Sequence, residues 1–229
     1  MAAQASSSGW RPEQGGTDLF ERVNWDRLIG LGIEHITAVL IAIALAAVLG
    51  VSLGVLTYRS KAGAEMVTAV CATILTIPSF ALFGLMLPIF GLGETGPILA
   101  LIAYALLPIV RNTITGLQGV DPAIVEAAKG MGMPSRARLL RIELPLAWPV
   151  ILTGLRVATL LITSIYAIAA YMGAGGLGND IFRALSNVGA VWALDVAVTA
   201  TVAIVVVAII LDSFYLLLGK LTTPRGIRN

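Results

Sequence analysis

The sequence has little charge and few residues of the kinds that carry out chemistry. Only 12% of its 229 residues are Asp, Glu, Lys or Arg, whereas soluble globular domains average about 25%. Hydrophobic residues make up 58% of the chain, and its mean hydropathy is +0.91. The net charge of +2 is too small to indicate a nucleic-acid partner. This composition predicts a single integral membrane domain.

Cysteine and histidine each occur once. Cys71 lies in an apolar run, so neither a disulfide framework nor a cysteine-rich metal site is available. His35 has no second histidine near it, and no metal site is predicted. The P-loop pattern G-x-x-x-x-G-K-[ST] is absent, so the chain is not expected to bind ATP through that motif. We find no nucleophile beside a base, and we do not expect an enzyme.

One glycine-rich segment has the spacing of a dinucleotide-binding fingerprint but not its context. Gly173, Gly175 and Gly178 fit G-x-G-x-x-G. That fingerprint requires a strand before it and the start of a helix after it, whereas a helix-length apolar run precedes it here. With Gly176, these residues are instead predicted to form an outer hinge between the last two spans.

Long apolar runs dominate the chain and predict an all-α membrane protein with about five transmembrane helices. Each run approaches the roughly 20 residues that a helix needs to cross the hydrocarbon, and their lack of alternation excludes a membrane β-barrel. The third is short unless its helix continues past Arg111. The predicted spans are Ile36–Leu56, Met66–Phe90, Pro97–Val110, Leu146–Tyr171 and Val191–Leu218.

The basic residues predict the orientation. With five spans, ten Lys and Arg residues outside the apolar runs fall on one side of the membrane and four on the other. The positive-inside rule therefore puts the N-terminus outside and the C-terminus in the cytoplasm. Residues 1–30 form a polar outer segment without a signal-peptide pattern, residues 31–219 form the membrane domain, and residues 220–229 form a basic cytoplasmic tail.

The segment of residues 121–145 is polar although it lies between apolar runs, and we call it the elbow. Asp121 and Pro122 are typical of a helix start. Gly130 and Gly132 offer positive φ angles at which the chain can turn. A second start is predicted at Pro134, so the elbow is expected to contain two short helices on the cytoplasmic membrane surface.

Two charges lie inside predicted spans. Arg156 and Asp212 are candidates for an intramembrane ion pair or for residues that face a hydrated cavity, because unpaired charge at such depth is costly. Snorkelling of each side chain to the inner interface is the alternative. Glu34, His35 and Asp195 lie near the outer span ends and are expected to be solvated.

The elbow also carries a specific motif. Glu126-Ala127-Ala128, Gly132 and Ile142-x-Leu144-Pro145 reproduce the EAA signature, EAA-x₃-G-x₉-I-x-LP. The chain therefore resembles the permeases of type I ABC importers, which have a MetI-like fold with a cytoplasmic coupling helix. The stretches IPSFALFGLMLPIFGLGETGP and YMGAGGLGNDI are similar to the permeases of osmoprotectant importers for glycine betaine, choline and carnitine.

This resemblance implies roles and partners. The elbow would dock on a dimeric cytoplasmic ABC ATPase that holds ATP-Mg, so this chain needs no cofactor itself. The other implied partners are a solute-binding protein outside the cell membrane and a second copy of this permease or a similar one. The residues implied in ATPase coupling are Glu126, Ala127, Ala128, Gly130, Gly132, Ile142, Leu144 and Pro145.

The solute and its path are the least specified features. Aromatic faces can hold quaternary ammonium groups, and kinked spans are common in transporters. The candidate path residues are Pro78, Ser79, Phe80, Tyr104, Tyr166 and Tyr171. A methionine-type amino-acid importer is the alternative, followed by an ion-coupled secondary transporter and by a structural subunit of another membrane complex.

Overall fold

The computed structural model describes residues 24–222, and the predictions for residues 1–23 and for the tail after residue 222 fall outside that range. Between Asn24 and Thr222 all regular structure is helical, which confirms the predicted all-α class. In chain order the helices are α1 (Trp25–Thr57), α2 (Lys61–Thr76), α3 (Ser79–Phe90), α4 (Thr95–Gln118), α5 (Pro122–Gly130), α6 (Ser135–Arg138), α7 (Leu144–Tyr166), α8 (Gly178–Leu185) and α9 (Ala193–Thr222).

Local sequence explains where several helices begin. The Asn24 side chain accepts the Arg27 N–H at 3.0 Å at the start of α1, and Ser60 accepts the Gly63 N–H at 3.2 Å at the start of α2. Such caps satisfy N–H groups that have no partner inside the helix. The third predicted span continues well past Arg111 as α4, which makes it long enough to cross a membrane.

The second span is broken at a proline. Pro78 disfavours helical backbone at the residue before it, and Ile77 is accordingly extended, with φ −68° and ψ 126°. Helices α2 and α3 meet there at 91°. By length and composition, four described helices can each cross a membrane, and this bent pair makes a fifth crossing if it is one span.

Contacts at the two ends of the molecule show that the bent pair is one crossing. The end of α1 meets the start of α7, where Tyr58 hydrogen-bonds Glu143. The turn before α4 meets the opposite end of α7, because the Gly93 N–H donates to the Met172 carbonyl at 2.9 Å. The chain therefore passes from one end of the bundle to the other between Tyr58 and Gly93.

Helices α1, α4 and α7 form the core through small residues. A Cβ atom on Gly54 would lie 2.6 Å from Thr113 of α4, and one on Gly154 of α7 would lie 2.8 Å from the Pro108 carbonyl. Absent side chains thus let the backbones approach closely, which drives helix association in lipid. Ala158 of α7 is a further small residue that is buried in this core.

Candidate coupling, gating and translocation sites

The first helix of the elbow begins and ends as the sequence indicates, except at Gly130. Asp121 accepts the Ala123 N–H at 2.8 Å, with Pro122 in the first turn of α5. At the other end, the Met133 N–H donates to the Ala128 carbonyl at 3.1 Å, and Gly132 has φ +76°. This is a Schellman arrangement, which needs positive φ at one residue only. Gly130 is the last residue of α5 and keeps helical backbone, so the turn predicted for it belongs to Gly132 alone.

The second half of the elbow is not a separate short helix. Helix α6 passes through a π-helical turn, Leu139–Glu143, directly into α7. Pro145 follows the π-helical turn and lies in the first turn of α7, and the helix continues through it. The elbow is therefore one free helix followed by a continuous extension of the fourth span.

Helix α5 presents an apolar stripe on its outer face. Ile124, Ala127 and Met131 follow one another at helical spacing and are all exposed. Ala128, implied in ATPase coupling together with Ala127, is 1% exposed and packs within its own chain. Only Ala127 of the two is available to a partner.

Glu126 lies beside this stripe and pairs within its own helix. Its carboxylate accepts a hydrogen bond from Lys129 at 2.5 Å, one turn away. This bond and the Lys129 charge lower the pKa of Glu126, and the Arg138 charge lowers it further. The carboxylate remains exposed and ionised, so it is available to a cation on a docking partner.

A buried carboxylate joins the elbow to the ends of two other spans. Glu143 is 3% exposed. It accepts hydrogen bonds from Tyr58 at 2.5 Å, from Arg138 at 3.0 Å and from Arg59 at 3.2 Å. The Gln118 side chain at the end of α4 donates to the Tyr58 carbonyl at 2.9 Å. We call these five residues the Glu143 hub.

The hub was not predicted, because Glu143 occupies a position that the EAA signature leaves unspecified. One signal was present: a single acid between Ile142 and Leu144, in a segment that enters a span, needs partners if it is buried. Burial, followed by the hydrogen bond to Glu143, raises the pKa of Tyr58. The Tyr58 hydroxyl therefore stays protonated and can donate to the carboxylate.

Arg156 and Asp212 form a bidentate ion pair between α7 and α9. Arg156 Nε lies 2.5 Å from Asp212 Oδ1, and its Nη2 lies 2.7 Å from Oδ2. Both side chains are partly exposed, and Arg156 also lines a cavity of about 200 Å³ with Tyr215 and Thr153. The pairing and the cavity thus occur together at this site.

The predicted path residues separate into two groups. Tyr104 and Tyr166 are buried in the core, and the Tyr104 hydroxyl donates to the Ile77 carbonyl at 2.7 Å, at the break beside Pro78. Ser79 opens α3 directly after that break. Tyr104, Pro78 and Ser79 thus lie at the break in the second span, whereas Tyr166 packs against His35.

The exposed group is an aromatic cluster at the end opposite the elbow. Phe80 and Tyr171 are both exposed, with ring centroids 4.8 Å apart. Phe182 of α8 joins them, with its ring centroid 6.0 Å from that of Tyr171. The sequence did not single out Phe182, because α8 is a short helix in the connection between the last two predicted spans, and only its first residue, Gly178, belongs to the predicted hinge.

That glycine-rich stretch is packed tightly, which does not fit a flexible hinge. A Cβ on Gly175 would lie 2.6 Å from the Glu34 carboxylate, and a Cβ on Gly178 would overlap the Ala167 backbone. Gly173 and Gly176 have φ of +76° and +94°. A larger residue would therefore meet a close contact at Gly175, Gly176 and Gly178, and an unfavourable φ at Gly173 and Gly176.

The outer ends of α1 and α7 are joined by residues that were expected to be solvated. Glu34 accepts the Gly176 N–H at 3.0 Å. His35 is fully buried, with Nε2 2.9 Å from the Thr163 carbonyl, and its ring packs edge-on against Tyr166. The expectation was wrong for His35 because α1 turns this residue toward α7 rather than toward solvent. Among the described residues, no group of three His, Cys, Asp or Glu could hold a metal ion.

A bundle of apolar spans, with an EAA elbow at one end and an aromatic cluster at the other, defines the class: a membrane subunit of a binding-protein-dependent transporter. The chain belongs to the family of binding-protein-dependent transport system inner membrane components, whose model matches residues 25–223. It is a permease subunit and not an enzyme, and the ATPase of such a transporter is a separate subunit.

Individual relatives and solved structures agree with this membership. The osmoprotectant import permease protein OsmW of Salmonella typhimurium is 40% identical over 206 residues, which are 88% of this chain and 94% of that protein. The choline transport system permease protein OpuBB of Bacillus subtilis is 35% identical, over 92% and 95% of the two chains. An inward-facing structure of the MetNI methionine ABC transporter has a TM-score of 0.76 at 21% identity, over 86% and 97%, and confirms the MetI-like fold.

Proposed function

We propose that this permease imports quaternary ammonium osmoprotectants such as glycine betaine, choline and carnitine. The observation that carries the proposal is the similarity over nearly the whole chain to permeases named for osmoprotectant, choline and glycine betaine/carnitine/choline transport. The likeness to the methionine transporter is only 21% in sequence and supports the fold alone. The exposed rings of Phe80 and Tyr171 are suited to contact a quaternary ammonium group as it enters.

The proposed orientation has the elbow in the cytoplasm and the aromatic cluster outside. Basic side chains at the elbow end include Arg59, Lys129 and Arg136, which agrees with the positive-inside rule. Solute delivered by a binding protein then reaches the aromatic end, and a cytoplasmic ATPase dimer docks on α5. The Ile124–Ala127–Met131 stripe supplies the apolar contact, and a second copy of this permease or a similar one completes the pore.

In this proposal, ATP acts on the permease through α5. The paired ATPases close when they bind ATP and move α5 with them, which opens the path to the outside, and hydrolysis resets it. ATP binding shifts the equilibrium only if the partner binds the two permease states with different affinities.

The solute assignment is tested by reconstituting the permease with its ATPase and binding protein in liposomes. We expect ATP-dependent uptake of radiolabelled glycine betaine, choline or carnitine, and none of methionine. Methionine uptake without betaine, choline or carnitine uptake would contradict the proposal.

The coupling role of the elbow is tested in the same liposomes with Gly132→Val. A Cβ at Gly132 meets no atom of this chain within 4 Å, but φ +76° is unfavourable for a β-branched residue. We expect the variant to stay in the membrane while uptake per ATP falls about fivefold or more. Gly30→Val, a glycine in α1 that is equally unobstructed, serves as the control and should keep normal coupling. Equal uptake per ATP in both variants would remove the coupling assignment.

A further inference from the structure

The Glu143 hub lies where the elbow continues into α7. A movement of the elbow reaches α7 through this junction. The π-helical turn Leu139–Glu143 joins α6 to α7, and π turns are wider and less regular than α-helix. A force on α5 that was transmitted only through this turn would bend the turn instead of displacing α7. A brace across the turn is therefore needed if α7 is to move with the elbow.

Glu143 and Arg138 form that brace. They are five residues apart, which is the hydrogen-bond spacing of a π turn, and their side chains are joined at 3.0 Å with both residues buried. A charge-assisted hydrogen bond in a buried setting is shorter and stronger than a neutral one.

The same carboxylate extends the connection to span one through both of its oxygens, Oε2 to Tyr58 and Oε1 to Arg59. Tyr58 and Arg59, which follow α1, both donate to this carboxylate. Arg59 Nε also donates to the Tyr58 hydroxyl at 2.6 Å, so the three groups form a closed ring of hydrogen bonds. Gln118 holds the Tyr58 carbonyl from the end of α4. The elbow-side ends of α1 and α7 thus meet at one carboxylate, and the end of α4 joins them through the Tyr58 backbone.

A cleft beside the hub shows that the free helix faces this junction directly. It has a volume of about 400 Å³ and is lined by Val125, Glu126 and Lys129 of α5 on one side and by Arg138 and Glu143 on another. Leu117 and Val120, from the end of α4 and the turn into α5, also line this cleft. A displacement of α5 relative to the spans therefore changes the immediate surroundings of the hub.

We propose that Glu143 is a positioning residue for ATP coupling. Its hydrogen bonds make α1, α4 and α7 move with the elbow as one body. This inference rests on the proposed function, because it assumes that α5 receives the ATPase. Glu143 contacts no solute and no nucleotide in this role. It determines how much of the elbow's movement reaches the spans.

The test compares Glu143→Gln with the wild-type complex of permease, ATPase and binding protein in liposomes. The variant keeps the size of the side chain and removes its charge. We expect the complex to assemble and to hydrolyse ATP, while solute uptake per ATP falls about fivefold or more. Glu65→Gln is the matched control: Glu65 is an exposed carboxylate in the first turns of α2, at the same end of the molecule, and it makes no hydrogen bond or ion pair within residues 24–222. It should keep wild-type uptake per ATP.

A second variant keeps the proposal testable if Glu143→Gln does not assemble. Tyr58→Phe removes only the hydroxyl that donates to Glu143, and uptake per ATP should fall about twofold to threefold. Where both variants assemble, the double variant should lose less than the product of the two single effects, because both changes break the same connection. Independent, multiplying effects would overturn the inference.

The outcomes separate this inference from the proposed function. Normal uptake by the wild type, together with unchanged uptake per ATP in Glu143→Gln or in Tyr58→Phe, overturns the inference alone. A wild-type complex that takes up no betaine, choline or carnitine overturns the proposed function and this inference with it.

Discussion

At the scale of single residues, several polar side chains in and beside the spans occur in partnerships. Glu143 with its three donors and Arg156 with Asp212 are the clearest cases. Charge is costly near hydrocarbon, so such residues persist only when a partner or water compensates them. Each partnership also joins different helices, and it therefore restrains how these helices can move relative to one another.

The Arg156–Asp212 pair gives the residue-scale prediction. Asp212→Asn and Arg156→Gln should each lower the thermal unfolding midpoint in detergent, because each leaves one charge of the pair without its partner. The double variant should lose less than the sum of the two single losses, because both changes remove the same bidentate contact. Strictly additive losses would show that the two residues act separately.

The cavity beside Arg156 offers a control for this measurement. Thr153 lines the same cavity, is exposed, and donates only to the Pro149 carbonyl of its own helix. Thr153→Val should therefore change the midpoint little, and it should show no coupling to Asp212→Asn.

At the scale of elements, the broken second span is the least regular part of the membrane domain. Its break exposes backbone groups that a helix would otherwise satisfy, and in a membrane such groups need partners from the protein. The Tyr104 hydroxyl supplies one by donating to the Ile77 carbonyl. The contact also links α4 of the core to the junction between α2 and α3.

Removing that hydroxyl gives the element-scale prediction. Tyr104→Phe should destabilise the protein by about 1–3 kcal/mol, the usual result of leaving a buried polar group unsatisfied. The measurement is thermal or denaturant unfolding in detergent. Tyr171→Phe removes a hydroxyl from an exposed ring and should have little effect on stability. Equal losses in the two variants would mean that the Ile77 contact is not what stabilises the break.

At the scale of the whole molecule, the contacts fix which span ends lie together but not which side of the membrane they face. The elbow lies with the ends of α1 and α9, since Tyr58 bonds Glu143 and Trp148 donates to Thr222 at 2.7 Å. The aromatic cluster lies at the other end. Orientation then follows from the basic residues around the elbow.

Cysteine labelling tests this orientation in intact cells. In a Cys71→Ala background, Val188→Cys should react with a membrane-impermeant maleimide from outside, because Val188 is highly exposed at the end opposite the elbow. Met131→Cys, on the exposed face of α5, should react only after the cells are permeabilised. Cells that lack the partner ATPase avoid protection of Met131 by docking. Labelling of Met131→Cys in intact cells would reverse the assignment.

The sequence by itself determined the membrane class, the approximate spans and the elbow. These depend on local chemistry. Uninterrupted apolar runs form helices in lipid because each backbone group then has a partner within its own segment. Asp121 with Pro122 favours a helix start through contacts within the same few residues. The signature residues also identified the family, because they lie at fixed spacings within one short segment. Such a pattern can be recognised without knowledge of the tertiary structure. Gly132 was assigned correctly as a turn residue for the same local reason.

Only the tertiary structure decided what depends on residues distant in sequence. Tyr58 and Glu143 are 85 positions apart, and no local pattern could show that they meet. Arg156 and Asp212 are 56 apart, and the cost of charge in a membrane let the sequence name their pairing only as one of several alternatives, which the structure decided. The packing of the outer glycines against Glu34 and Ala167, and the burial of His35, likewise follow from how α1 lies against α7. Hydrophobicity specifies that a helix enters the membrane, whereas the rotation of each helix about its axis is set by its neighbours. That rotation decides which polar groups pair.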